Sequence, residues 1–248
     1  MFARSFLALL LSLLGSTLAG AQNLTVVAAA SVRHAMQDIV ASYQQQFPDD
    51  AIRIIFGASG GLTTQIINGA PFDLFFSADT ALPQRLYDEG LTTGKPVVYA
   101  EGRLVLWSAD LDASTLTLHD LTSPNIRRIA MAQPRTAPYG QRAQEALTNL
   151  GLWDVVEEKI VFGENISQAA RMAEAGAAEI GLIALSLAVV PPLNDQPFQL
   201  IDRDLHAPLT QAFVITRRAA SNPIAHRFAD FIGTPEVTAI LRQHGLHS

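Results

Sequence analysis

Four short stretches place hydroxyls or small residues where an apolar run gives way to a helical pattern: Ala28-Ala29-Ala30-Ser31-Val32, Gly57-Ala58-Ser59-Gly60-Gly61-Leu62, Gln133-Pro134-Arg135-Thr136-Ala137-Pro138-Tyr139-Gly140 and Gly163-Glu164-Asn165-Ile166-Ser167. The first turn of a helix carries N–H groups without intrahelical acceptors, and the helix dipole adds about half a positive charge there. Ser31 and Ser59 offer both a hydroxyl and an amide, Tyr139 a phenol and an amide, and Ile166 an amide alone. Brought together, these groups suit a compact oxyanion with no cationic partner, each charge-assisted hydrogen bond contributing on the order of 1.5 to 3 kcal/mol. Such a set is rich in donors and poor in acceptors, which favours a fully ionised oxyanion over one that keeps a proton. Taken singly, each residue also has an ordinary use. Ser31 can be a plain helix cap and Tyr139 a turn aromatic.

A rival chemistry shares the second stretch. Gly57-Ala58-Ser59-Gly60-Gly61 fits G-x-S-x-G, the nucleophile elbow of serine hydrolases, in a strand-turn-helix setting. That fold needs several strands before the elbow, and only about two precede Ser59; His206, His226, His244 and His247 offer no compelling partner. Asp79 reads as a helix cap ahead of Thr80-Ala81-Leu82-Pro83 and not as a catalytic acid. No H-x-x-x-H, D-x-D-x-D-G or cysteine cluster suggests a bare metal site, and Tyr43, Tyr87, Tyr99 and Tyr139 offer no adjacent pair for ferric iron.

The elements that must position these residues follow from periodicity. Short, nearly continuous apolar runs at Leu24 to Ala30, Ile52 to Phe56, Leu74 to Phe76 and Ile129 to Ala132 alternate with helical patterns at Val32 to Phe47, Leu62 to Ile67, Leu82 to Glu89 and Gln141 to Leu150. A further helical pattern, Gln168 to Ala175, follows Val161-Phe162. Alternation of this kind predicts an α/β fold with mostly parallel sheets flanked by helices, and apolar strands predict burial on both faces. Val97 to Trp107 and Leu209 to Thr216 break the alternation and are expected to be two crossover segments between lobes. Residues 22–100 with 210–248 then form one lobe and 101–209 the other, with hinges at Val97 to Arg103 and Leu209 to Thr216.

Residues 1–21 have one basic side chain, Arg4, an apolar run from Phe6 to Leu14, and small residues ending in Ala19-Gly20-Ala21. That pattern is a secretory signal peptide cleaved near Ala21, and a periplasm is the expected destination. Cysteine is absent, which excludes a lipid anchor, disulfides and thiolate chemistry. The formal charge of −6 is spread without a basic run, so no nucleic-acid partner is expected. Net acidity does not oppose anion binding, because local dipoles decide a buried site. A monomer suits a diffusing carrier.

The motifs Ala28 to Ser31 (AAAS), Gly57 to Gly61 (GASGG), Phe72-Asp73-Leu74-Phe75-Phe76-Ser77-Ala78-Asp79, Thr136 to Gly140 (TAPYG) and Gly181-Leu182-Ile183 resemble, in order and spacing, the periplasmic molybdate-binding proteins of ABC importers. The resemblance implies a two-lobed type II periplasmic-binding fold, molybdate or tungstate as ligand, no cofactor, no catalysis, and delivery to an inner-membrane permease with a cytoplasmic ATPase. It matches Ser31 and Ser59 to serines that bind oxyanion oxygens through hydroxyl and amide, and Tyr139 and Ile166 to positions that supply a backbone N–H. Ala184 stands where many members carry a ligand tyrosine, and the Tyr139 hydroxyl is expected to reach inward in its place. A receptor for sulfate or phosphate on the same architecture is the alternative within this fold.

Overall fold

The computed structural model describes residues 23–247, so the signal-peptide expectation lies outside the described residues. The first sheet contains β1 (Asn23–Ala29), β2 (Ala51–Gly57), β3 (Leu74–Ser77), β4 (Val97–Gly102) and β10 (Leu209–Ile215), in the order β2-β1-β3-β10-β4. The second contains β5 (Leu104–Trp107), β6 (Ile129–Ala132), β7 (Ile160–Gly163), β8 (Ile180–Ala184) and β9 (Phe198–Leu200), in the order β7-β6-β8-β5-β9. Helices α1 (Arg33–Gln46), α2 (Ser59–Ile67), α3 (Ala81–Asp88), α8 (Pro223–Ile232) and α9 (Pro235–Gln243) accompany the first sheet in sequence. Helices α4 (Pro138–Asn149), α5 (Trp153–Val156), α6 (Ile166–Glu174) and α7 (Leu185–Ala188) accompany the second. We call the two layered units lobe 1 and lobe 2.

The sheets are mixed and mostly parallel, as expected: in each, four strands run one way and a single strand runs against them. In lobe 1, β1 pairs in parallel with β2 and β3, while β10 runs antiparallel to β3 and β4. In lobe 2, β6 pairs in parallel with β7 and β8, while β5 runs antiparallel to β8 and β9. The cause is the crossover itself. Parallel strands of both lobes run towards the shared cleft, whereas β5 and β10 each arrive from the other lobe and therefore run away from it. One continuous run, Val97 to Trp107, serves both sheets, changing at Arg103.

Packing follows the apolar pattern. Helix α1 buries Ala35, Met36, Ile39, Val40 and Tyr43, a single face at helical spacing, and ends at Phe47 because Pro48 disfavours helical backbone in the residue before it. The core of lobe 1 is aromatic: Phe76 stacks on Phe213 at 4.9 Å, and Phe228 meets Tyr43 edge-on at 5.1 Å. The core of lobe 2 is aliphatic around Leu104 to Leu106 and Ile129 to Ala132, and it extends across the cleft to Ala29, Ala30 and Ala78 of lobe 1.

Three helices begin earlier than periodicity predicts, and each shift brings a candidate residue into a first turn. Helix α2 begins at Ser59 and not Leu62. Helix α4 begins at Pro138, whose fixed φ suits the first helical position, and α6 begins at Ile166, behind the cap in which the Asn165 side chain accepts from the Gln168 N–H at 3.1 Å. Among the described residues, no helix is long and apolar enough to cross a membrane.

Candidate functional site

Ser31, Ser59, Tyr139 and Ile166 line one small cavity between the lobes, and all four are buried. Its remaining walls are small residues, among them Ala30, Ala58, Ala78 and Ala137, and no charged side chain lines it. A larger groove of about 520 Å³ adjoins it, sharing Gly57, Ala58 and Asn165 and lined from both lobes.

Ser31 is not a helix cap. It sits in a single 3-10 turn, Ala30–Val32, and Val32 precedes α1 without any side-chain cap. The Ser31 Oγ is buried without a hydrogen-bond partner. Buried polar atoms are normally satisfied, so an orphan hydroxyl in a donor-lined cavity points to a ligand.

Ser59 is the first residue of α2, and Ala58 ahead of it provides no side-chain cap. Its Oγ accepts from the Ala78 N–H at 3.0 Å, which leaves the hydroxyl proton free to donate. The neighbouring Gly60 N–H is already used across the cleft, donating to the Thr136 carbonyl at 2.8 Å. Gly60 therefore serves contact between the lobes.

The Tyr139 phenol is buried beneath Gly102, where an added Cβ would lie 2.0 Å from the hydroxyl oxygen. Gln211 Nε2 donates to that oxygen at 3.3 Å, and Gln211 Oε1 accepts from the Tyr99 hydroxyl at 2.8 Å. This chain of donors leaves the Tyr139 proton available to the cavity side, where Ser31 and Ser186 lie close to the phenol. Burial pushes the phenol far above its ordinary pKa, outweighing the opposing influence of the nearby polar side chains of Ser31, Gln211 and Ser186, so Tyr139 stays a protonated donor. Ala184 ends β8 and is fully buried. It does not line the cavity, whereas the Tyr139 phenol reaches towards the turn just beyond it.

Ile166 is the first residue of α6, and its amide belongs to the open first turn. Sequence reasoning missed Gln211, Tyr99 and Gly102. Gln211 did leave a signal, as a polar residue inside the apolar strand LTQAFVIT that the structure buries completely.

The hydrolase arrangement is not formed. A nucleophile elbow holds its serine in strained backbone, but no described residue other than glycine has positive φ. No imidazole or carboxylate lines the cavity beside Ser59. His206, His226 and His244 instead contact the Ala207 carbonyl, the Ala220 carbonyl and the Asp38 carboxylate at 2.8, 2.9 and 2.7 Å. Asp79 caps α3: its Oδ1 accepts from the Leu82 N–H at 3.1 Å and from the Ser77 hydroxyl at 3.0 Å.

The family model for bacterial extracellular solute-binding proteins matches residues 24–247. The chain belongs to that family. It is a family of solute-binding proteins rather than of enzymes. The chain is 33% identical over 242 residues to the molybdate-binding protein ModA of Rhodobacter capsulatus, covering 92% of this chain and 95% of that one. It is 34% identical over 231 residues to the molybdate-binding protein ModA of Azotobacter vinelandii, covering 92% and 90%. The solved periplasmic molybdate-binding protein of Azotobacter vinelandii superimposes with a TM-score of 0.85 at 31% identity, covering 91% of this chain and 99% of that chain. The candidate site lies where the two lobes meet.

Proposed function

We propose that this solute-binding protein captures molybdate, and tungstate with it, outside the cytoplasm and delivers it to an ABC permease driven by a cytoplasmic ATPase. Residues 1–21 direct export and are removed, leaving a monomeric periplasmic carrier. Lobe 1 comprises residues 22–100 and 210–248, lobe 2 comprises 101–209, and the lobes close about Val97 to Arg103 and Leu209 to Thr216. The observation that carries this reading is the orphan Ser31 hydroxyl, buried in a donor-rich cavity with no charged wall. Similarity to proteins named for molybdate binding supports the choice of anion.

Ser31 and Ser59 donate hydroxyl and amide protons from lobe 1; Tyr139 and Ile166 donate from lobe 2. Because each lobe holds part of the donor set, the anion satisfies all of them only when the lobes are together, and binding shifts the population towards the closed form. Donors of this kind do not titrate near neutral pH, and they offer no carboxylate to a proton on the ligand.

Calorimetry of the ligand-stripped mature protein against molybdate, tungstate, sulfate and phosphate tests the proposal. Molybdate and tungstate are expected to bind and to raise the melting temperature with concentration, while sulfate and phosphate do neither. Binding of sulfate or phosphate in preference would replace molybdate as the ligand.

A further inference from the structure

Two serines outside the candidate donor set bridge the lobes. Ser186, the second residue of α7, donates its hydroxyl to the Ser31 carbonyl at 2.7 Å. Ser167, the second residue of α6, donates to the Ala30 carbonyl at 3.0 Å. Both are buried, and both act from lobe 2 on the turn that links β1 to α1 in lobe 1.

Hydroxyls near a helix start commonly cap it or bond back to a carbonyl of their own helix. Thr63 and Thr64 do the latter in α2, donating to the Ser59 and Gly60 carbonyls at 2.9 and 3.0 Å. Ser167 and Ser186 do neither. The cap of α6 is supplied by Asn165, and α7 has no side-chain cap although Ser186 stands in its first turn. Their hydroxyls are directed across the cleft.

The acceptors are informative because the peptide group is planar. The Ala30 carbonyl shares its peptide plane with the Ser31 N–H, and the Ser31 carbonyl shares its plane with the Val32 N–H. A hydrogen bond onto the carbonyl fixes the plane and polarises the N–H on its other side. We infer that Ser167 and Ser186 are positioning residues that couple anion capture to lobe closure, gripping from lobe 2 the carbonyls on either side of the Ser31 N–H and so fixing the turn that presents Ser31 to the anion from lobe 1. The inference rests on the oxyanion reading of the cavity and adds a role for residues that need not touch the anion.

The bonds exist only with the lobes together, so losing one should speed release without slowing encounter. The test compares mature wild-type protein with Ser167→Ala, Ser186→Ala, the double variant and a control, Ser108→Ala. Ser108 is also a buried serine, but its hydroxyl donates to the Glu179 carbonyl at 2.7 Å within lobe 2. Stopped-flow rates are measured with molybdate, tungstate and sulfate, and melting temperatures without ligand. Each latch variant is expected to raise the dissociation rate about 2- to 12-fold, the double variant more, with association rates and ligand-free melting unchanged. Ser108→Ala is expected to lower ligand-free melting while leaving dissociation as in wild type. Unchanged dissociation in the double variant, or a change matched by lost ligand-free stability, overturns the latch. A wild-type protein that binds sulfate and not molybdate overturns the ligand reading alone, and the latch is then judged on the sulfate rates. A wild-type protein that binds none of the three overturns both.

Discussion

A buried hydroxyl with no partner costs a folded protein about 1 to 3 kcal/mol, and Ser31, in the wall of the cavity, carries one. Ser31→Ala should therefore separate function from stability. Affinity for molybdate should fall about 10- to 150-fold, the loss of one charge-assisted hydrogen bond, while ligand-free melting stays level or rises. A variant that loses both together, by calorimetry and thermal melting, would make Ser31 a structural residue. Tyr139→Phe tests the phenol in the same way: a loss of about 10- to 150-fold is expected if its proton meets the anion, and unchanged binding would leave only its backbone N–H in the site. The four candidates were legible because each lies at a junction where an apolar strand gives way to a helix, so type and place could be read together. Gln211 was not, because its value depends on Tyr99 and Tyr139, 112 and 72 residues away in sequence. Pairings of that range are set by the crossover and leave no local pattern.

Helix and strand identities were readable from periodicity, but helix starts were not, and the starts decide this site. Gly60 and Gly61 make the opening of α2 look like a loop in sequence, yet the structure winds both into the helix. Gly60 has a reason to lack a side chain that only the paired lobes reveal. A Cβ there would lie 2.8 Å from the Thr136 carbonyl oxygen and 3.2 Å from the Thr136 Cα, across the cleft. Those are backbone atoms that cannot rotate aside, so the lobes themselves would have to part. Alanine is the better helix former by about 0.5 to 1 kcal/mol, so Gly60→Ala should not weaken lobe 1 alone. It should lower molybdate affinity about 5- to 150-fold, the range expected of overpacking, with ligand-free melting unchanged or higher. Wild-type affinity in this variant would show that the lobes need not approach so closely. Strand direction was legible for all but one strand of each sheet. Parallel pairing was inferred from strand-helix alternation, which holds for β1, β2 and β3 and for β6, β7 and β8, but β5 and β10 belong to the crossover and take the opposite direction.

In each lobe a carboxylate with a cationic partner is held below its ordinary range against the pull of burial. In lobe 1, burial raises the Asp50 pKa, but hydrogen bonds from Tyr43 and Arg227, with the Arg227 charge, outweigh it; Arg227 Nη2 lies 2.7 and 2.8 Å from the two carboxylate oxygens. In lobe 2, burial likewise opposes ionisation of Glu179, and N–H groups of Arg128 and Arg127 with the Arg127 guanidinium outweigh it. A carboxylate held low in the folded protein must take up a proton when the chain unfolds in acid. Its stabilisation is thus fully present above the ordinary values of 3.8 and 4.5, and is lost as pH falls through the lowered folded ones. Asp79 works in the opposite sense, since burial raises its pKa and its ionised form loses stability as pH rises from 3.8 through the raised value. Urea midpoints between pH 3 and 7 should therefore fall on the acid side in wild type. Asp50→Asn should be less stable at pH 7 and show an acid limb shallower by up to about one proton's contribution. An acid limb of unchanged slope in Asp50→Asn would place the titrating load elsewhere. Molybdate affinity should stay level from pH 6 to 8, because hydroxyls, backbone amides and a phenol raised well above its ordinary value do not change charge there. An affinity that falls steadily across that range would require a titrating group in the cavity, which its walls do not contain.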